Sequence, residues 1–154
     1  MATHDVLVSI EPDFARRVQA DWLTGIARIT LEHEDVGDCQ LSVVVTTDAE
    51  IHSLNRQYAD EDKPTDVLAF SQQEGETFVA PPDELRHLGD VIISLETAER
   101  QAPEAGHDLD AEMAHLLAHG VLHLLGYDHT APDEEREMRE HERAVLGKAG
   151  IEAH

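Results

Sequence analysis

The sequence predicts an α+β domain with one small, mostly parallel four-stranded sheet packed with about five helices. Three observations predict it. Short Val- and Ile-rich runs with apolar alternation recur through the first two thirds of the chain. Segments with helical apolar spacing separate these runs. The stretch 107–146 is then helical almost throughout, so the sheet precedes two consecutive helices.

Each element has its own warrant. In residues 5–10, Val6, Val8 and Ile10 share one face, as in a strand. Glu11-Pro12-Asp13 is a good helix start, and Phe14, Val18, Trp22 and Ile26 then keep one buried face to about Glu32. Gly37-Asp38 breaks that helix, and residues 41–46 read as a second strand. Thr47 or Asp48 caps a short helix carrying Ile51, Leu54 and Tyr58. A polar loop at 60–65 leads to a short strand at 66–70. Residues 72–85 hold Gly75, Pro81, Pro82 and several acids, and are expected to form an exposed, mobile loop. A fourth strand is expected at 89–94 and a short helix at 95–101. Asp108 begins a strong helix that Gly126 closes, and a last helix runs from Thr130 and Pro132 to Leu146.

The 154 residues suit a single domain, 1–154. Thirty-three acids against 11 Lys and Arg give a formal charge of −22. That excludes a general nucleic-acid-coating role, which needs Lys and Arg to neutralise phosphates. It equally disfavours docking on anionic lipid. Cys39 is the single cysteine, so no internal disulfide forms and no zinc site rests mainly on thiolates. No apolar run reaches the length of a membrane span, and residues 1–10 do not read as a signal or transit peptide. A cytoplasmic location is the expectation.

Chemistry concentrates in the 11 histidines, five of which fall between His107 and His129. His119 and His123 stand four apart, on one face of a helix and one turn from each other. Such a pair alone is weak evidence, since surface helices carry it by chance. Gly126 can end the helix in a left-handed conformation, and His129, three residues on, can then swing back to the same ion. Turn and third ligand agree, so His119, His123 and His129 are the expected metal ligands. Three neutral imidazoles suit Zn²⁺, one ion per chain, with a fourth position for a water whose pKa the full +2 charge lowers to roughly 7. His115 extends the ladder. Three ligands on one straight helix would however span about 12 Å at 1.5 Å per residue, so His115 is read as core or as supporting a ligand. His4, His33, His52, His87, His107, His141 and His154 are read as solvated. The spacing of 119, 123 and 129 also equals that of metzincin proteases, whose general base is the Glu after the first His. Here that residue is Gly120, which disfavours a peptidase.

The run His119-Gly120-Val121-Leu122-His123-Leu124-Leu125-Gly126-Tyr127-Asp128-His129 resembles the H-G-x-L-H-L-x-G-Y-D-H signature of the YbeY family, bacterial endoribonucleases of ribosomal RNA maturation. Leu54-Asn55, Tyr58 and residues 62–68 resemble that family's central loop and strand, and Leu88-Gly89-Asp90 its next strand. The resemblance covers nearly the whole chain. It implies a zincin-like α+β fold, one zinc on His119, His123 and His129, and hydrolysis of single-stranded RNA in ribosome biogenesis. Its implied partners are ribosomal RNA or other single-stranded RNA and a ribosomal particle or its proteins. One departure matters: where many members carry an Arg after the loop tyrosine, this chain has Ala59. The family's Ser-Phe-Pro after the strand is Ala69-Phe70-Ser71 here.

Either a metal-activated water or the RNA 2′-OH can attack the phosphodiester, and the sequence leaves both open. No catalytic side chain is assigned. Arg56 and Lys63 flank the loop and are candidates to replace the missing Arg as a phosphate clamp; each also reads as a solvated cation. Asp66 and Asp90 are acids near strand ends, for catalysis or for turn hydrogen bonding. Asp128 either orients a histidine or caps the turn, and Tyr127 is read as packing. Two alternatives stand beside the nuclease: a zinc-containing ribosome-assembly factor with little nuclease activity, and another metal hydrolase. On the last helix, Glu135/Arg139 and Arg136/Glu140 read as a solvated face.

Overall fold

In the computed structural model, residues 3–58, 66–71, 86–127 and 131–150 are described. Four strands form one sheet: β1 (His4–Ile10), β2 (Cys39–Thr46), β3 (Val67–Ser71) and β4 (Arg86–Ser94). Their order is β1-β2-β4-β3. β1 and β4 both run parallel to β2, while β3 runs antiparallel to β4. The sheet is therefore mostly parallel, as the sequence predicts. Among the described residues five helices accompany it: α1 (Ala20–His33), α2 (Asp48–Tyr58), α3 (Leu95–Ala105), α4 (Leu109–Leu124) and α5 (Pro132–Lys148).

The core forms where apolar periods coincide. Along β2, Cys39, Leu41, Val43 and Val45 are buried at every second position. They meet Leu23, Ile26, Ala27 and Leu31 of α1 and Met113, Leu117 and Val121 of α4 in one cluster. α4 is buried on nearly all sides, so it is the central helix of the domain. Asp108 caps it, its side chain accepting the Ala111 N–H at 2.9 Å. Trp22 of α1 donates its indole N–H to the Asp110 carbonyl at 3.0 Å, fixing α1 against the start of α4.

Gly120 marks where α4 lies closest to the sheet. A Cβ there would sit 2.6 Å from Val91 Cγ1 and 3.3 Å from Val67 Cγ2. The glycine is thus a packing requirement, and no side chain at 120 has room to act as a base.

Three expectations need correction. The first helix does not run on from Pro12: a 3-10 turn at Pro12–Phe14 is followed by irregular chain, and α1 starts at Ala20. Phe14 and Val18 are buried without the helix, and Arg17 reaches Glu99 of α3 at 2.9 Å. Tertiary contacts override the helical period there. α3 continues past 101 through Pro103 to Ala105. Gly106 at φ 79° then ends it, with the His107 N–H on the Ala102 carbonyl and the Gly106 N–H on that of Pro103. α5 likewise passes Gly147 to Lys148. The expected loops at 60–65 and 72–85 fall outside the described residues.

Candidate metal centre

His119 and His123 lie on the last two turns of α4. Downstream of them the helix closes as a Schellman motif: the Gly126 N–H bonds the His123 carbonyl at 3.1 Å and the Tyr127 N–H bonds that of Leu122 at 3.2 Å. Gly126 takes φ 105°, the left-handed conformation the sequence called for. This turn brings the Tyr127 carbonyl within 3.0 Å of His123 Nδ1.

The two rings are oriented by different acceptors. His119 Nδ1 lies 2.5 Å from Glu142 Oε1 on α5, and Glu142 is only 6% exposed. An ionised carboxylate and a backbone carbonyl can only accept, so Nδ1 carries the proton in both histidines. Each ring then presents its lone pair at Nε2. A carboxylate on one ligand and a carbonyl on the other is the support that metal-bound histidines usually have. The two residues therefore fit a zinc-type ion. The hydrogen bond to Glu142 also raises the His119 pKa; burial pulls it down, and the charges of Glu142 and Asp66 push it up again. A metal ion held by this ring would have to compete with the proton.

The other expected residues are distributed as follows. His129, Asp128, Ala59 and Lys63 lie outside the described residues. Arg56 is exposed in the last turn of α2. Asp66 precedes β3, its carbonyl accepting the Ser94 N–H at 2.9 Å, and its charge reaches His119. Asp90 is in β4, with its carboxylate 3.5 Å from His87 Nε2. His115 Nε2 is 3.9 Å from Glu142, in keeping with a supporting place. The Glu135/Arg139 pair forms at 2.6 Å on the outer face of α5.

Several histidines read as solvated have defined partners instead. His107 Nε2 bonds the buried Glu112 at 2.6 Å, and His4 Nε2 lies 2.8 Å from the Val36 carbonyl. His33, at the end of α1, and His141 of α5 converge on Glu34. Together His33, Glu34 and His141 place three donor atoms within 4.8 Å of one another. Burial and the ammonium of Lys148 lower His33, against the pull of Glu34. Tyr127 is more than packing: its hydroxyl donates to Glu34 Oε1 at 2.6 Å while its carbonyl holds His123. Burial, that hydrogen bond and the charges of Glu34 and Glu137 push Tyr127 up to about 12.

Glu142 was the residue the histidine pattern alone did not reveal. A signal existed: Met138, Glu142, Val145 and Leu146 form the buried stripe of α5, and a carboxylate in such a stripe needs a partner.

The chain is thus an α+β scaffold whose central helix ends in a pair of oriented histidines. The family model described as "Endoribonuclease YbeY" matches residues 9–150. The chain belongs to this family. It is 43% identical over 151 residues to Endoribonuclease YbeY of Roseiflexus castenholzii, covering 96% of this chain and 95% of that one. It is 52% identical over 130 residues to the namesake from Pelotomaculum thermopropionicum, covering 84% and 85% of the two chains. The Aquifex aeolicus relative is 46% identical over 134 residues, covering 86% and 85%. The solution structure of a Thermotoga maritima protein matches with a TM-score of 0.58 at 23% identity, covering 94% of this chain and 91% of that one, which supports the fold.

Proposed function

We propose that the chain is a zinc-dependent endoribonuclease that cuts single-stranded RNA during ribosomal RNA maturation in the cytoplasm. Family membership supports the endoribonuclease activity. The observation that carries the metal reading is the pairing of His119 Nδ1 with Glu142 and of His123 Nδ1 with the Tyr127 carbonyl. It puts the proton on Nδ1 of both rings, the tautomer in which Nε2 can ligate a metal ion. His129 completes the proposed set. The ion, when bound, would supply Lewis acidity to the scissile phosphate, whether a water or the RNA 2′-OH attacks.

The chain's own residues supply orientation and charge. Glu142 holds His119, and the Gly126 turn delivers the carbonyl that holds His123. By residue type, Arg56 and Lys63 are the candidates to stand in for the family Arg replaced by Ala59 as cations for RNA phosphate. A charge of −22 leaves no broad basic surface for RNA. Free RNA should therefore bind weakly with a shallow salt dependence, and a ribosomal particle is the proposed source of local substrate.

A panel tests the reading. Metal-verified protein is offered structured and single-stranded RNA, a peptide and a small ester, with and without chelator. Chelator-sensitive cleavage of single-stranded RNA alone is expected. Peptide or ester turnover would favour another hydrolase. Ribosomal-particle binding that survives chelation, without RNA cleavage, would favour an assembly factor.

A further inference from the structure

We propose a second divalent-metal site, separate from the His119/His123 centre, built from His33, Glu34 and His141. Glu34 Oε2 is 2.7 Å from His141 Nδ1 and 3.5 Å from His33 Nε2, and all three donor atoms lie within 4.8 Å. Ligand bonds of about 2.0–2.2 Å place neighbouring donors on a tetrahedral ion roughly 3.4 Å apart. The observed spacings bracket that value, so side-chain adjustments of about an ångström close the site.

The backbone favours a cation here. His33 is the last residue of α1 and Glu34 its C-cap, at the negative end of the helix dipole. Asp35, at φ 56°, turns the chain immediately afterwards. Glu34 is also oriented: Tyr127 donates to Oε1, which leaves Oε2 facing the two imidazoles. An open cavity of about 650 Å³ adjoins the cluster, lined by Glu34, Glu134 and Glu137. These acids offer a path that attracts cations.

Lys148 regulates access. Its ammonium donates to His33 Nδ1 at 2.8 Å, so that ring is neutral and carries its proton on Nε2, the donor atom of the site. A metal ion takes Nε2 only when the proton moves to Nδ1 and Lys148 swings out to solvent. Lys148 is thus an internal competitor. Two imidazoles and one carboxylate select Zn²⁺, Ni²⁺ or Co²⁺ over Mg²⁺ or Ca²⁺.

The test counts zinc on the metal-free full-length protein by titration against a chelator, with the fold checked by circular dichroism. Wild type should take two equivalents. Glu34→Gln keeps an acceptor for Tyr127 but should lose the second equivalent, as should His141→Ala. Lys148→Gln should tighten the second equivalent severalfold, and excess Mg²⁺ should displace neither. His123→Ala should lose the other equivalent and keep this one, so the two sites fail independently. A second equivalent that is missing from wild type, survives Glu34→Gln, or yields to Mg²⁺ overturns the proposal.

Discussion

His119 Nδ1 and Glu142 Oε1 lie 2.5 Å apart although 23 residues separate them, joining the central helix to the last one. The carboxylate is buried, so this contact both holds the helices and sets the ring. Glu142→Gln keeps the shape but loses the charge that favours Nδ1–H. Zinc affinity should fall about 10- to 100-fold, the usual cost of losing such support. Glu142→Ala should in addition lower stability by about 1.5–3 kcal/mol, as expected for a hydrogen bond to a charged group. Competition titration and denaturant unfolding measure the two effects separately.

Tyr127 offers an optical test of the turn. With the hydroxyl at about 12, its ionisation should lag well behind an ordinary tyrosine near 10. Because the folded value is the raised one, its contribution to stability is present below about pH 10 and is lost as pH rises through the folded value. Two tyrosines, Tyr58 and Tyr127, report in the ultraviolet. Glu34→Gln should lower the late transition but leave it above 10, because burial, the largest cause, remains. An unchanged late transition in that variant would contradict the Glu34 contact.

Asp48 ties the start of α2 to α3. Burial raises its pKa, but hydrogen bonds from Ser94, Thr97 and Arg100 and the charge of Arg100 outweigh this and hold it below the ordinary carboxylate value. A depressed folded value means stabilisation that is complete above the unfolded value, about 3.9, and lost as pH falls through the folded one. The stability gap between wild type and Asp48→Asn should be constant near neutrality and close in acid. Unfolding midpoints from pH 7 to pH 2 would show it; a gap that widens in acid contradicts the sign.

Gly120→Ala sets two effects against each other. Helix propensity favours Ala by about 1 kcal/mol. The added Cβ meets the fully buried, β-branched Val91 at 2.6 Å, and overpacking costs about 1–3 kcal/mol. The clash should win, with a net loss of about 1 kcal/mol. Gly120→Glu should fail to fold rather than gain a base. Soluble, folded Gly120→Glu would remove the steric argument.

The elements were legible because their signals are local. Alternating Val in β2, the Asp108 cap and the Gly126 stop each act within a few residues. The antiparallel pairing of β3 with β4 was not, because direction depends on long-range register. The helical spacing of Phe14 and Val18 misled because burial in the core cluster satisfies those side chains without a helix. The histidine pair could be read from spacing alone. Glu142 and the Glu34–Tyr127 contact could not, since partners 23 and 93 residues away depend on how α1, α4 and α5 pack.

In the proposed function, His119 and His123 carry the metal on which RNA cleavage depends. The most direct measurement is the cleavage rate of a single-stranded RNA by protein of known zinc content, wild type against His123→Ala. The variant should stay folded, lose the tight zinc and cleave at background rate. Full cleavage by a zinc-free His123→Ala protein would contradict it.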